Sequence, residues 1–171
     1  MLGKDLNISM IAALGSRTRA IGNGPKLLWE IQEDLKRFSK ITRGHPVIMG
    51  RKTWDSLPEE FKPLPKRTNI VVSRRGQGLE VPGMSVVPSV ESALSLAAQS
   101  PGSEEIFIIG GGEIYKAALH LTHRAYLTLV DDEPEADVFF PEYEETFPRE
   151  TFREEHTIPG EFTYRFVIRE R

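Results

Sequence analysis

Glu105-Ile-Phe-Ile-Ile-Gly-Gly-Gly-Glu-Ile-Tyr-Lys-Ala-Ala-Leu119 is the stretch on which the fold turns. Glu105 to Ile109 opens it with a short, continuous apolar run, the pattern of a strand covered on both faces. Gly110, Gly111 and Gly112 break the run, and a helical segment follows to about Leu119. Strand, tight turn and helix in that order is half of a parallel crossover unit. Working outward, the same alternation recurs. Downstream, Tyr126 to Val130 is the next strand. Upstream, buried strands are predicted over Asn7 to Leu14 and Pro46 to Gly50, a third strand over Asn69 to Ser73 and a short one over Met84 to Val87. A short helix over Thr53 to Leu57, opened by Arg51-Lys52-Thr53 and closed by Pro58, follows one of these strands. A longer helix over Ser89 to Gln99 follows another, with Ser89 as its N-cap. Gly15 to Pro25, with three glycines and a proline, reads as a long loop. Beyond Asp137 the texture changes: Phe162, Tyr164, Phe166 and Ile168 alternate with polar residues and pair with Thr151 to His156 as an antiparallel hairpin at the sheet edge. The expected fold is α/β: a single domain over residues 1–171, a three-layer sandwich with helices on both faces of a mostly parallel central sheet and a C-terminal antiparallel hairpin.

Composition narrows the function classes. With 171 residues, 39% apolar and 27% charged, the chain is long enough for its own core. No apolar run reaches the ~18 residues of a membrane span, and the N-terminus lacks a signal-peptide pattern, so no membrane partner and a cytoplasmic location are expected. The absence of cysteine removes disulfides and thiolate chemistry, and the one close pair among the four histidines, His120 and His123, has no carboxylate-rich metal motif around it, so no metal is expected. A net charge of −3 argues against nucleic acid as a partner.

Against that background one acid stands out. In Leu27 to Phe38, read as helix to about Thr42, Ile31, Asp34 and Phe38 share a stripe flanked by Leu35, while Gln32, Glu33, Lys36 and Arg37 supply the wet side. Asp34 is therefore either an edge residue reaching solvent or a neighbouring loop, or a buried acid facing a cationic or amidine-like ligand. Cations gather elsewhere. Gly50-Arg51-Lys52-Thr53 and Ser73-Arg74-Arg75 lie at the ends of two strands, where arginine forks suit a phosphate monoester. Gly110 to Gly112 lets backbone approach a pyrophosphate, although Tyr115 stands where a dinucleotide fingerprint has its last glycine. Glycine turn and cationic strand ends together point to NADP rather than NAD.

Ile11-Ala12-Ala13, Ile21-Gly22, Leu27-Leu28-Trp29, Asp34 with Phe38, Pro46 to Trp54, and Ile109 to Tyr115 form an ordered set that resembles bacterial chromosomal dihydrofolate reductase over about Ile8 to Arg169. The resemblance implies reduction of 7,8-dihydrofolate to 5,6,7,8-tetrahydrofolate by hydride transfer from NADPH, supplying one-carbon metabolism and thymidylate synthesis, in a monomer. It assigns Asp34, Trp29, Leu27 and Thr128 to catalysis, with Asp34 on the 2-amino group and adjacent ring nitrogen of the pterin. It makes Ile11, Ala13, Leu35, Phe38, Leu57, Leu64, Ile109, Tyr115 and Thr128 the substrate cleft, and Arg67 the clamp for the glutamate α-carboxylate. The cofactor side becomes Ala13, Ile21, Gly22, Gly50, Arg51, Lys52, Thr53, Ser56, Ser73, Arg74, Arg75, Ile109, Gly110, Gly111, Gly112, Glu113, Ile114 and Tyr115. A cis peptide is implied at Gly110-Gly111, and a lid is implied over Gly22 to Lys26, supported by Asp137. The chain departs from the family at Leu27, often methionine, at Leu28 and Gln32, often proline, and at Ala136, often glycine. Pro58 to Lys62 is longer than in the shortest members. A same-fold reductase of another heterocycle, or a module that binds without turnover, are the alternatives; the Asp34 helix and Arg67 weigh against the first, and an intact Asp34 against the second.

Overall fold

The computed structural model describes residues 6–75 and 81–171. Six strands run in parallel through its centre, and their alternation decides what faces what. The first strand, β1 (Ile8–Gly15), is followed by two short strands, β2 (Ala20–Asn23) and β3 (Lys26–Leu27), and by helix α1 (Gln32–Thr42). Next come β4 (Val47–Gly50), α2 (Arg51–Ser56), β5 (Asn69–Val72), β6 (Met84–Val87) and α3 (Val90–Ala97). The strand, glycine turn and helix over 105–119 are β7 (Ile106–Gly110) and α4 (Gly112–Ala118). The chain finishes with β8 (Arg124–Val130), β9 (Val138–Phe139), β10 (Arg149–Ile158) and β11 (Phe162–Glu170).

The main sheet has eight strands in the order β10-β11-β8-β1-β7-β4-β5-β6. β8, β1, β7, β4, β5 and β6 run parallel, while β11 is antiparallel to both β8 and β10. Side chains alternate between two cores. Met10, Ile48, Ile70, Ile108 and Leu127 face α3 and α4. Ile11, Val47, Met49, Val71, Phe107 and Tyr126 face the side that carries α1 and α2, through Phe38, Ile41 and Trp54. The three-layer α/β sandwich expected from the sequence is therefore observed, with both faces of the central strands dry.

Several local expectations change. Gly15 to Pro25 is not a plain loop: β2 pairs antiparallel with β3 and with β9, a second sheet of three strands. β3 follows directly after the Gly24-Pro25 turn, but the other partner, β9, lies more than a hundred residues downstream and no local pattern announces it. The Asp34 helix starts at Gln32, because Leu27 is drawn into β3 and Ile31 takes the N-cap position without a side-chain cap. The short helix spans Arg51–Ser56, two residues earlier at its start than expected. The terminal hairpin is longer than read, with β10 running to Ile158. Among the described residues no helix is long and apolar enough to cross a membrane.

Candidate active site

β1 lies between β7 and β8, both of which come from much later in the chain. The carboxyl ends of these strands leave a crevice where the strand order reverses, the usual place for a ligand in an open α/β sheet. Period-2 alternation puts Thr128 of β8 on the same face as Tyr126, towards α1. There the Thr128 hydroxyl donates to Asp34 Oδ1 at 2.5 Å. Asp34 is only partly exposed, and burial pushes its carboxyl above the ordinary range; the Thr128 hydrogen bond and the Arg37 guanidinium pull it back less strongly. Of the two readings of Asp34, the structure matches the buried one: the acid points inward and is held by one hydroxyl.

Arg37 also moves from its expected place. Three residues after Asp34 it shares that side of the helix, its guanidinium 4.4 Å from the Phe166 ring centre and 6.0 Å from that of Tyr126. Burial lowers its pKa, with Asp34, Tyr126 and Glu154 opposing. The wet-side assignment fails because Phe166 supplies an aromatic face for the guanidinium to lie on. The i,i+3 spacing from Asp34 was the available signal.

Around this pair the expected wall residues gather unevenly. Ile11 and Leu64 are buried, and Phe38, Leu57 and Ile109 pack against the same cluster. Ala13 stands two residues beyond Ile11 on β1, half-buried. Ile109 is the extra residue of a bulge, since Ile48 pairs with Ile108 while Met49 pairs with Gly110. Leu35 stays 45% exposed and Leu27 69% exposed, so both line open space rather than core. Trp29 lies on the cluster of Ile31, Val130, Tyr164 and Phe166 and donates its indole N–H to Asp132 at 2.9 Å. Tyr115 is buried and donates to the Ile11 carbonyl at 2.7 Å; burial, then the Asp34 charge, drive its phenol far upward, so it remains a neutral donor.

Arg67 is held in place before any ligand arrives. Its Nε donates to the Pro65 carbonyl at 2.9 Å and its terminal nitrogen to the Thr42 hydroxyl at 3.0 Å, while its guanidinium lies 5.8 Å from the Phe38 ring centre. Burial and the nearby Arg43 charge both lower its pKa, which favours an anionic partner.

The second half of the crevice is backbone and cation. The Gly110-Gly111 peptide is cis, and Gly110 has φ +132, a conformation open to glycine alone. A Cβ at Gly110 would stand 3.3 Å from Thr53 Oγ1 and 3.4 Å from the Tyr115 oxygen; one at Gly111 would stand 3.4 Å from the same Thr53 oxygen. Bare backbone and one hydroxyl therefore face a common space. Gly50 closes against Ile114, and Gly112 begins α4 with Glu113 exposed. Ser56 turns back to the Thr53 carbonyl at 2.7 Å. Arg51 is paired with Asp55 at 3.2 Å, Lys52 is exposed, and Arg74 and Arg75 are exposed beyond β5, with the Ser73 hydroxyl accepting from the Arg75 amide at 3.3 Å. Ile21 packs on the core beside this space, and Gly22 pairs with Leu27. The β2–β3 hairpin is moored by Asp137, which accepts from the Gly24 amide at 3.0 Å and donates its own amide to the Gly22 carbonyl at 3.0 Å.

Chemically, one half can take a planar amidine-like group at its base and a carboxylate at its rim; the other can take phosphates. Asp132 and Arg37 were not among the expected site residues. For Asp132 no local signal exists, because its partner is 103 positions away.

The family model described as dihydrofolate reductase matches residues 7–171. The dihydrofolate reductase of Neisseria gonorrhoeae is 44% identical over 163 residues, covering 95% of this chain and 96% of that one. The type 3 dihydrofolate reductase of Salmonella typhimurium is 39% identical over 157 residues, 92% of each chain. The dihydrofolate reductase of Mycobacterium tuberculosis (strain ATCC 25618 / H37Rv) is 40% identical over 134 residues, covering 77% and 78%.

Proposed function

Since the chain belongs to the dihydrofolate reductase family and is an oxidoreductase of that kind, we propose that it reduces 7,8-dihydrofolate to tetrahydrofolate with NADPH as donor, using the residues just described. The observation that carries this reading is the inward-facing Asp34 carboxylate held by Thr128. The N5=C6 bond of the pterin takes a hydride at its electrophilic carbon and a proton at its nitrogen. NADPH, when bound, supplies the hydride. Asp34 accepts from the 2-amino group and adjacent ring nitrogen, two parallel charge-assisted hydrogen bonds that fix the ring and make it more basic. Thr128 sets the orientation of that carboxylate, and a water, not Asp34 itself, delivers the proton. Ile11, Ala13, Trp29, Leu35, Phe38, Leu57, Leu64, Ile109 and Tyr115 exclude bulk water from the ring, and Arg67 takes the glutamate α-carboxylate with its planar fork. Leu27, on the lid hairpin, covers the reacting rings.

The residues on the other side fit the cofactor. Glycine backbone at Gly110 to Gly112 with Thr53 suits a pyrophosphate, and Arg51, Arg74 and Arg75 suit a 2′-phosphate, with Gly50, Lys52, Ser56, Ser73, Glu113, Ile114, Ile21 and Gly22 completing the walls. On family resemblance alone we place the reaction in the cytoplasm, in a monomer, feeding one-carbon transfer and thymidylate synthesis.

The test is loss of NADPH absorbance on adding dihydrofolate, run beside NADH. Fast oxidation of NADPH and slow oxidation of NADH is the expected result. If NADPH binds but neither cofactor is oxidised, the cofactor side survives and the substrate assignment falls.

A further inference from the structure

Asp131, Asp132 and Glu133 follow β8 directly, and each carboxylate accepts a hydrogen bond from a different residue of the 16–29 segment. Asp131 accepts from the Ser16 hydroxyl at 2.6 Å and pairs with Arg165 at 3.2 Å, while Glu133 accepts from the Thr18 hydroxyl at 2.7 Å. Both of these acids are exposed. Asp132 differs: it is partly buried and accepts the Trp29 indole N–H at 2.9 Å. Among the described residues no cation is paired with it.

Trp29 needs such a partner. It lies between β3 and α1, outside any strand or helix that would fix its backbone. Its ring packs on the cluster of Ile31, Val130, Tyr164 and Phe166, but apolar contact is non-directional and does not by itself set the ring's orientation. A half-buried indole N–H left without an acceptor is also costly. The bond to Asp132 supplies the missing direction. Ile31, the next-but-one residue, is the N-cap of the helix that carries Asp34, so the set of the Trp29 ring is passed to the start of that helix.

We propose that Asp132 is a positioning residue of the reductase: by accepting the Trp29 indole N–H it locks that ring as a wall of the pterin pocket and fixes the entry to the Asp34 helix. The proposal rests on the reading of Trp29 as a pocket wall. It makes Asp132 matter for catalysis although it touches neither ligand.

The experiment uses the full chain with Asp132→Ala, Asp132→Asn, Trp29→Phe and the double variant Trp29→Phe/Asp132→Ala. Two readouts are taken: the indole ¹⁵N–¹H resonances, and hydride transfer in a single turnover with saturating NADPH and dihydrofolate. There are two tryptophans, so the resonance lost in Trp29→Phe identifies Trp29 and the other serves as the internal control. Asp132→Ala should move the Trp29 resonance, leave that of Trp54 in place, and slow hydride transfer about tenfold, the effect of one charge-assisted hydrogen bond. Asp132→Asn, whose amide oxygen still accepts, should restore most of the rate. In the Trp29→Phe background, Asp132→Ala should cost nothing further. An unmoved Trp29 resonance overturns the bond. A moved resonance with unchanged hydride transfer overturns the positioning role, as does an additive loss in the double variant. A wild-type chain that does not reduce dihydrofolate overturns the substrate reading, and is recognised before any variant is compared.

Discussion

At the scale of single residues, Asp34 is set against the stability of the fold that houses it. Its carboxyl is raised above the unfolded value chiefly by burial. Below the ordinary carboxylate range both folded and unfolded chains hold the proton and the penalty is absent. As pH climbs through the raised folded value, the unfolded chain has already ionised and the folded chain must bury a charge, so stability is lost in that window. Asp34→Asn removes the charge while its amide oxygen can still accept from Thr128. The ligand-free variant should melt a few degrees higher than the wild type at pH 7, with the gap closing towards pH 4. In the same variant, hydride transfer at pH 7 should fall by about a hundredfold or more. A lower melting point at pH 7, read by calorimetry, would count against the buried-charge argument. Arg37 acts in the opposite sense, since its positive charge favours the Asp34 carboxylate. Arg37→Met should move the acid limb of the pH–rate profile upward. The sequence made Asp34 conspicuous because an acid on an apolar stripe is unusual. It did not make Arg37 conspicuous, because the ring that receives its guanidinium is on a strand at the far end of the chain.

At the scale of elements, the turns that aim the strands carry more consequence than their composition suggests. Between α3 and β7 the chain passes Gly102 with φ +77, and a Cβ there would fall inside the Gly44 carbonyl oxygen. His45 closes the same contact through Nδ1 to the Gly102 carbonyl at 2.8 Å. The α3–β7 turn is thus pressed against the turn that leads into β4, and neither backbone can yield without shifting a central strand. Gly102→Ala should destabilise by about 3 kcal/mol, measured by chemical denaturation, with the spectroscopic signature of the folded state retained. Element identity was legible where periodicity was local. β7 with its glycine turn, α3 with Ser89 accepting from the Ser92 amide as N-cap, and the alternating β11 could all be read directly. The β2–β3–β9 sheet could not, because strands of four, two and two residues carry no periodic signal and are defined only by their pairing.

At the scale of the molecule, the crevice has two separable halves. Arg67 is fixed through Pro65 and Thr42 on the α1 side, whereas Arg74 stands exposed beyond β5. Arg67→Lys should raise KM for dihydrofolate roughly tenfold with KM for NADPH and kcat little changed, since a lysine loses the planar fork. Arg74→Ala should do the reverse, weakening NADPH and narrowing its advantage over NADH. Steady-state kinetics with each ligand varied in turn separates the outcomes; a matched rise in both constants would mean the halves are coupled. The parallel sheet, its two dry faces and the cation-rich strand ends were legible in the sequence. The way Asp34, Trp29 and Arg37 meet residues beyond position 120 was not, since each of those contacts is long-range.

The placement of β1 has one more consequence, in the order of events during synthesis. β1 leaves the ribosome well before its hydrogen-bonding neighbours β7 and β8: Ile8 pairs with Ile106, and Ser9 with Arg124. At roughly 5–20 residues per second, the nascent chain carries that apolar strand without its partners for several seconds. The pocket cannot form piecewise, because Asp34 emerges early and Thr128 late. A chain stalled on the ribosome before residue 124 thus has its acid but neither its hydroxyl partner nor a closed sheet, and ligands of the finished pocket have nothing to hold. Rescue of a destabilised variant by such ligands must therefore wait until β8 has emerged and paired with β1.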